Sequence, residues 1–286
     1  MGILVLEDRI LAKFDAQVRH PTELGSGEML KSKLQSRLDV ISALVLRDMR
    51  TRFGRSHLGY LVAVLWPLAH LTSIVVLAAF INRVLPMGTD PAVFVATGAL
   101  PYILCLYPAR LIAISVTLSK PLFLFPVVRV FDVIVSRIII EFVTAFIVVI
   151  IFSGSLLAAG VDLIPLDYST VAGAIICTIY LSISLGYVST VIIAIFPFWH
   201  IGFVVLMVLL YATAGVFIVP STLPQHVRDM MWFNPLVHCV EWMRSAYYEG
   251  YGDDMLSRGY LVWFSNSCLL LGLLGERFMR GKLLSS

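Results

Sequence analysis

The sequence predicts an all-α integral membrane protein with six transmembrane helices, an N-terminal amphipathic interface helix and short re-entrant external helices before the last span. Two observations predict this fold class. Only 14% of the 286 residues are charged, against about 25% in a soluble domain, while 59% are hydrophobic and the mean hydropathy is +0.91. Four arginines also fall between Arg47 and Arg55, and no Asp, Glu, Lys or Arg follows until Arg83. A basic segment that leads directly into an apolar run is typical of a chain that enters a membrane from the cytoplasmic side.

The first regular element is predicted to be an amphipathic helix over residues 34–57, preceded by a cytosolic N-terminal tail over residues 1–33. The sequence GSGE at residues 25–28 is expected to interrupt any helix in this tail. A helix with a basic face is expected to lie along the cytosolic membrane surface. Docking of the same helix on a partner subunit is an open and compatible alternative. Its apolar stripe follows helical spacing and consists of Leu34, Leu38, Ile41, Val45, Met49 and Phe53.

Residues 58–276 contain six apolar runs, and each is interpreted as one transmembrane span. The first is long enough, at 1.5 Å per residue, to cross roughly 30 Å of hydrocarbon. No charged residue occurs from Tyr168 to Val227, a stretch too long for one span, and Pro197 divides it in two. The last run is short and needs the charged residues at its ends to reach the interface. The predicted spans are residues 58–80, 93–118, 142–159, 171–196, 201–219 and 259–275.

Lysine and arginine determine the predicted orientation of these spans. Residues 1–57 carry ten of them, and the cytosolic C-terminal tail, residues 277–286, carries three more. Positive residues accumulate on the cytoplasmic side, so both termini are predicted to be cytoplasmic, which agrees with an even number of spans. The mixed segment at about residues 221–254 then lies outside. The loop between spans four and five has no lysine or arginine, so its side stays open.

The sequence argues against several classes of enzyme. A phosphate-binding GxxxxGK[ST] loop is absent, and its nearest approach, Gly275 to Lys282, has the wrong glycine spacing. There is also no HExxH motif, no nucleophile elbow and no pair of carboxylates within one span. The net charge of +3 gives no indication of nucleic acid binding. The chain is therefore predicted not to be an enzyme and to bind no metal or cofactor itself, since its cysteines lack metal-ligand spacing: Cys105, Cys177, Cys239 and Cys268.

Charged and aromatic residues within the spans are the candidates for function. Arg110 is predicted to lie inside the bilayer, where an arginine costs roughly 2.5–3.5 kcal/mol on insertion scales. It is expected either to face water or a partner, or to snorkel to the inner surface. Arg137 and Glu141, four residues apart, are expected to pair. Aromatic faces stack on pyranose rings, so deep aromatic residues suit a path for sugars, although each of them ordinarily packs. The candidate channel-lining residues are Tyr60, Trp66, His70, Phe80, Phe203, Tyr211 and Phe217.

Two segments resemble a known family. RDMRTRFGRSHLGYLVAVLWPLAH, residues 47–70, resembles the start of the permease subunit of polysaccharide-exporting ABC transporters, in particular the KpsM-like branch for capsular polysaccharide. WFNPLVHCVEWMRSAYYEGY, residues 232–251, resembles the external segment before the last span of that family. The resemblance extends over nearly the whole chain beyond Gln35. One position departs from it, because Trp66 stands where capsule-type relatives often have an acidic residue.

The resemblance implies a bacterial inner-membrane protein that exports lipid-linked capsular (or O-antigen-like) polysaccharide from cytoplasm to periplasm. The chain would form a homodimer with two copies of a separate ATP-binding cassette subunit, which would bind ATP and Mg. The channel would run between the protomers, mainly along spans one and five, and would lead to periplasmic or outer-membrane export proteins. Implied coupling residues are Lys120, Phe123, Phe125 and Arg129. Implied external gate residues are Trp232, Asn234, Glu241 and Arg244.

The four basic residues of the first junction are the candidate substrate entrance. Arginine binds phosphate and carboxylate groups through paired hydrogen bonds, which suits the anionic end of a lipid-linked polymer. The same residues also suit contacts with membrane phospholipid, and this alternative stays open. They are Arg47, Arg50, Arg52 and Arg55.

Two other functions remain open from the sequence. A permease of the same architecture could move a small hydrophobic compound, such as a drug or a lipid. A membrane scaffold or enzyme that transports nothing is the third class, and it predicts that no ATPase subunit accompanies the chain.

Overall fold

A computed structural model describes residues 26–53, 58–81, 88, 90–251 and 254–285. Within these ranges the chain forms nine α-helices and no strand, so the predicted all-α class is confirmed. Single-turn 3-10 helices lie at Lys120–Leu124 and Pro220–Thr222. The α-helices are α1 (Ser26–Phe53), α2 (Leu58–Ile81), α3 (Pro91–Leu118), α4 (Val130–Ala158), α5 (Tyr168–Ile195), α6 (Trp199–Ala212), α7 (Gln225–Met231), α8 (Pro235–Ser245) and α9 (Arg258–Ser285).

Four of the described helices, α2 to α5, are long and apolar enough to cross a membrane. Helix α6 is apolar but has 14 residues, about 21 Å at 1.5 Å per residue. This is shorter than the roughly 30 Å of a bilayer core. Helix α9 has 28 residues but contains charged residues in its second half. The count of six spans therefore stays a prediction.

Several helix boundaries differ from those predicted. Residues 26–33 already belong to α1, so the expectation that GSGE interrupts any helix was wrong for residues 26–28. Helix α4 begins at Val130, before the predicted start of span three at residue 142, and therefore includes the charged residues Asp132, Arg137 and Glu141. Helix α6 ends seven residues before the predicted end of span five, and α9 continues through the predicted C-terminal tail to Ser285. Residues 1–25 and 54–57 lie outside the described residues.

Helix α3 forms the centre of the bundle and contacts α2, α4, α5, α6 and α8. Pro101 and Pro108 lie within it without ending it. A proline leaves a backbone carbonyl without its helical donor, and in a membrane a neighbouring side chain usually replaces that donor. Pro108 frees the carbonyl of Leu104, four residues before it, whereas the Ser182 hydroxyl of α5 donates to the neighbouring Cys105 carbonyl at 3.0 Å and joins α5 to this turn of α3. Gly186 permits this close approach, because a Cβ there would lie 2.8 Å from the Ala109 carbonyl.

Helix α8 packs into the bundle between α3 and α5 rather than lying on its surface. Nine of its eleven residues are buried, including two charged ones, Glu241 and Arg244. Helix α8 follows α6 after the seven-residue α7. It places the buried Arg244 side chain beside the turn that follows α6.

Candidate functional site

Helix α1 docks against α4 at the end of the bundle that the sequence predicts to be cytoplasmic. Arg37 of α1 donates both to the Asp132 carboxylate and to the Val127 carbonyl, each at 3.1 Å. Asp48, three turns further along α1, accepts from Arg137 of α4 at 3.3 Å. Two interhelical ion pairs therefore attach α1 along the first half of α4, and its polar face is used for packing within the chain.

The predicted pair of Arg137 and Glu141 is present, with Nε and Oε1 3.4 Å apart. Both side chains are almost completely buried. Asp48 makes this pair a group of three, and the sequence analysis missed it. The sequence does contain an indication of this role for Asp48. It is an acidic residue between Arg47 and Arg50 on the basic face of α1, where a carboxylate would not help to bind anions.

The candidate entrance arginines lie in different environments. Arg47 is half-buried and lies 3.7 Å from the Asp48 carboxylate. Arg50 is exposed. The side chain of Arg52 and the whole of Arg55 lie outside the described residues. Of the described members, Arg50 is therefore the one whose charge is open to a bound anion, and the role of the set stays a prediction.

A groove of about 320 Å³ lies between α2, α3 and α4, and we call it the α2–α4 groove. Most of its lining is aliphatic, and its polar groups come from Trp66, Tyr107, Arg110, Glu141 and Thr144. Arg110 is exposed and, within the described part of the chain, forms no salt bridge. The groove therefore combines an apolar surface with one accessible cation, which suits an amphiphilic ligand.

Aromatic rings from three segments form a cluster at the end of the groove, which we call the aromatic cluster. His70 Nδ1 lies 2.9 Å from the Tyr107 hydroxyl, and the His70 ring packs edge-on against Tyr102. Tyr102 stacks on Tyr211 with ring centroids 4.1 Å apart, and Tyr211 packs edge-on against Phe217. Three predicted lining residues, His70, Tyr211 and Phe217, thus come together. Tyr102 and Tyr107 were not among the predicted lining residues, because span position alone does not indicate which way a ring points.

The other predicted lining residues lie elsewhere. Trp66 and Phe80 are exposed on α2, at 68% and 81%. Phe203 is 1% exposed and packs in the core, so this chain does not present it on an open surface. The backbone of Tyr60 is helical, and its side chain lies outside the described residues. The structure therefore divides the predicted set into clustered, outward-facing and buried members.

The candidate coupling residues lie at the same end of the bundle as α1. Lys120 begins the 3-10 turn after α3, and Arg129 precedes α4. Phe123 packs against the bundle, whereas Phe125 is exposed. Lys120 lines a cleft with Pro197 and Phe198 of the loop between α5 and α6 and with His200 of α6. The loop between α5 and α6 therefore lies beside the basic loop after α3. The sequence of the α5–α6 loop did not reveal this position, because it contains no lysine or arginine.

At the opposite end, side chains of the segment around α8 cap the end of α6. Asn234 donates to the Leu210 carbonyl at 2.7 Å while its side-chain oxygen accepts from the Leu236 amide. The fully buried Arg244 donates to three carbonyls of the turn after α6, those of Gly215, Val216 and Ile218, at 2.6–3.1 Å.

One further contact holds Arg244, and two features shape its surroundings. Its guanidinium lies 3.9 Å from the centroid of the Phe94 ring, a favourable cation–π contact. Gly215 adopts a φ of 76°, which suits a residue without a Cβ. Nearby, the Tyr251 hydroxyl donates to Glu241 at 2.6 Å. The predicted gate residues Asn234 and Arg244 thus join the external segment to the end of α6, while Trp232 lies on its outer side.

The described residues offer little for bond-making chemistry. They contain no group of three His, Cys, Asp or Glu placed to hold a metal ion. The described arrangement consists of an anion-accessible inner end, a membrane groove, an aromatic cluster and a buried outer cap. These features, with the four apolar helices, define a class of protein, a multi-helix membrane protein.

Comparison with known proteins identifies the group within this class. No family model matches the chain. It is 28% identical over 259 residues to the polysialic acid transport protein KpsM of Escherichia coli, which covers 90% of this chain and 100% of KpsM. It is 28% identical over 247 residues to the capsule polysaccharide export inner-membrane protein CtrC of Neisseria meningitidis serogroup B, covering 85% and 92% of the two chains. BexB of Haemophilus influenzae, with the same description, is 27% identical over 264 residues, 91% and 98%. The chain is thus a homologue of the capsule polysaccharide export permeases, and the resemblance expected from its sequence is confirmed.

Proposed function

We propose that the chain is the inner-membrane permease of a polysaccharide exporter. The observation that carries this proposal is its homology, over about nine-tenths of its length, to proteins named for capsule polysaccharide export. The four apolar helices long enough to cross a membrane agree with this location. The permease is not itself the enzyme of the system.

In the more detailed form of the proposal, two copies of this chain form a channel and two ATP-binding cassette subunits drive it with ATP and Mg. Homology to export permeases supports this form. So does α2, the least buried of the four span candidates, whose free face fits a second copy. Helix α6 and helix α9 complete the six spans, and the loops around Lys120 and residues 197–200 contact the ATPase.

The polymer enters at α1 and leaves past α8. Exposed Arg50, with Arg52 and Arg55, binds the anionic lipid-linked end of the polysaccharide through charge-assisted hydrogen bonds. The aromatic cluster then offers ring faces that stack on sugars without binding them strongly. Passage through a channel needs such weak, repeated contacts, since a tightly held polymer would not move.

Deletion of the gene in its native strain tests this function. The proposal predicts that the polymer is synthesised but accumulates in the cytoplasm, and that the intact gene restores it to the surface. Cell fractionation followed by carbohydrate analysis measures both pools. Normal surface polymer in the deletion strain would contradict the proposal.

The α2–α4 groove favours a second candidate, a permease for a small hydrophobic compound. Its largely aliphatic lining and volume of about 320 Å³ suit such a ligand. The reconstituted complex separates the two functions. Stimulation of ATP hydrolysis by hydrophobic compounds, together with indifference to glycolipid, would favour the second candidate over polysaccharide export.

A further inference from the structure

A cleft of about 350 Å³ lies on the external segment, beside α7 and its junction with α8, and we call it the exit cleft. Its volume falls within the roughly 300–1,000 Å³ of small-molecule sites. In contrast to the α2–α4 groove, its walls are largely polar and aromatic. They include Gln225, Arg228, Asp229, Trp232, Phe233 and Asp254.

We propose that the exit cleft binds uncharged pyranose residues of the glycan as it leaves the permease. This inference rests on the proposed function and adds a sugar subsite outside the membrane groove and the aromatic cluster. A pyranose ring needs an aromatic face for its C–H groups and both donors and acceptors for its hydroxyls. The exit cleft supplies each of these.

The aromatic wall is made by two adjacent residues whose rings meet at a right angle. The Trp232 and Phe233 ring centroids are 5.7 Å apart, and the planes differ by 90°. Phe233 is 69% exposed. Its ring is therefore free to stack on a sugar while Trp232 closes the corner.

Hydrogen bonds hold the backbone of both aromatic residues. His238 Nε2 lies 2.8 Å from the Trp232 carbonyl, while His238 Nδ1 accepts from the Ser257 amide. The imidazole therefore carries its proton on Nε2 and donates to Trp232. The Tyr260 hydroxyl donates to the Phe233 carbonyl at 2.7 Å. A site fixed before the ligand arrives loses less entropy on binding.

The polar wall lies on α7. The Gln225 amide donates to Asp229 at 3.1 Å, one turn away, which leaves the other carboxylate oxygen for a ligand hydroxyl. Arg228 reaches only the Ser221 carbonyl, at 3.5 Å, and its Nε is buried without a partner among the described residues. The guanidinium of Arg228 lines the cleft and keeps further N–H donors for sugar hydroxyls.

Charge determines which sugars fit. One arginine faces two carboxylates in the lining, so the formal charge of the exit cleft is −1, contributed by Arg228, Asp229 and Asp254. The net negative charge of the cleft repels carboxylated sugars, whereas hydroxyl groups can bond to both the carboxylates and the guanidinium. The cleft therefore selects uncharged rings over acidic ones.

Binding of two hexasaccharides to the full-length chain in lipid nanodiscs tests this inference. The probes are maltohexaose, which is uncharged, and a hexamer of sialic acid, which is anionic. We expect maltohexaose to bind with a Kd of about 1 mM, a weak affinity suited to passage, and the sialic acid hexamer to bind at least about tenfold more weakly. Saturation-transfer NMR and calorimetry measure both.

Two variants and a matched control locate the binding. Phe233→Ala and Asp229→Asn each weaken maltohexaose binding by about tenfold. Met230→Ala leaves it unchanged, because this neighbouring side chain is 77% exposed and does not line the cleft. Circular dichroism and thermal melting verify that all three variants are folded.

Absence of maltohexaose binding, or binding that Phe233→Ala and Asp229→Asn leave unchanged, would overturn the exit cleft as a sugar site. Equal binding of both hexasaccharides would overturn its selectivity, and binding of a periplasmic protein at Phe233 without any sugar binding would replace the glycan as its occupant. Because the gene deletion measures export separately, loss of export in the deletion strain together with no sugar binding by the purified chain refutes this inference alone. Sugar binding without any export defect in the deletion strain refutes the proposed function instead.

Discussion

The two ends of the bundle hold their peripheral helices by different interactions. At the inner end, α1 is attached to α4 by two ion pairs, Arg37–Asp132 and Asp48–Arg137, and the Arg37 side chain is 32% exposed. At the outer end, α8 is attached by a fully buried Arg244 that donates to neutral carbonyls. This difference in attachment indicates which of the two helices, α1 or α8, can move. The partly exposed Arg37–Asp132 pair is exchangeable with water, salt and anionic ligands, whereas the Asp48–Arg137 pair and the bonds of Arg244 to carbonyls are shielded from them.

This contrast agrees with the proposed direction of transport. An entrance that receives charged lipid-linked polymer benefits from a helix whose contacts an anion can replace. An exit built from the short α6 needs its free carbonyls satisfied permanently, because a bilayer offers no water to bond them. Arg244 and Asn234 supply those donors.

The largest expected effect comes from removing the outer cap. Arg244→Ala leaves the carbonyls of Gly215, Val216 and Ile218 without donors, and hydrogen bonds to charged groups contribute about 1.5–3 kcal/mol each. Since such losses are not additive, we expect about 3–5 kcal/mol of destabilisation. Thermal melting of the purified protein should show a Tm lower by about 10 °C or more.

Two variants serve as controls for the cap. Arg244→Lys keeps the charge but not the planar set of donors, so it should recover only part of the loss. Arg258→Ala removes an exposed arginine that stacks on Trp242 at 4.9 Å and should lower the Tm little. If Arg244→Ala melts like Arg258→Ala, the buried cap does not hold α8.

The next effect is a selective release of α1. The double variant Asp48→Ala, Asp132→Ala removes one carboxylate from each interhelical ion pair. Hydrogen exchange should become faster across α1 but not across α8. Asp39→Ala is the matched control, because Asp39 is an exposed carboxylate of α1 outside both pairs. Equal acceleration in both double variant and control would show that other contacts hold α1.

Reduced export is expected from a change at the entrance. Arg50→Ala with Arg52→Ala should lower surface polymer several-fold without reducing the amount of protein in the membrane, because the remaining basic residues still determine orientation. Export assays and membrane immunoblots measure the two quantities. Lys31→Ala with Lys33→Ala, which removes two exposed charges from the start of α1, is the control. Unchanged export in the arginine variant would show that both residues only anchor the chain to lipid.

The smallest effect concerns the external start of α5. Thr170 and Ser169 donate to the Asp167 carboxylate, and these hydrogen bonds lower its pKa from 3.8 to about 2. A lowered folded-state pKa means that the cap stabilises the helix fully above the unfolded pKa and is lost as pH falls through about 2. Exchange protection of the first turn of α5 should therefore persist at pH 4 and decrease near pH 2. Asp167→Asn should remove this pH dependence; the same decrease in that variant would assign it to another group.

Local patterns in the sequence predicted most of the helices. The 3.6-residue spacing of α1 and the apolar runs of α2 to α5 depend on neighbouring residues only, as does the Arg137–Glu141 pair four residues apart. The resemblance of residues 47–70 and 232–251 was confirmed by full-length relatives. Helix ends were less accurate. Apolar residues continue beyond α6, so hydropathy did not reveal that the helix stops at Ala212.

The functional contacts were harder to predict, because they join residues far apart in the chain. Asp48 meets Arg137 across 89 positions, and Arg244 meets Gly215 across 29. Periodicity places a residue on a face of its helix but does not say which helix that face meets. Arg244 was predicted as part of a gate from resemblance alone, and its bonds to the carbonyls after α6 became apparent only from the packing of α8.

Transport by the purified chain tests the central claim most directly. The chain is reconstituted with the ATP-binding cassette subunit proposed as its partner into proteoliposomes whose outer surface corresponds to the cytoplasmic side, and labelled lipid-linked polysaccharide is added to that side. The account predicts that ATP moves the glycan to the interior, where external glycosidase no longer digests it, and that a hydrolysis-deficient ATPase does not. Glycan that stays fully digestible in the presence of ATP and an active ATPase would contradict the account.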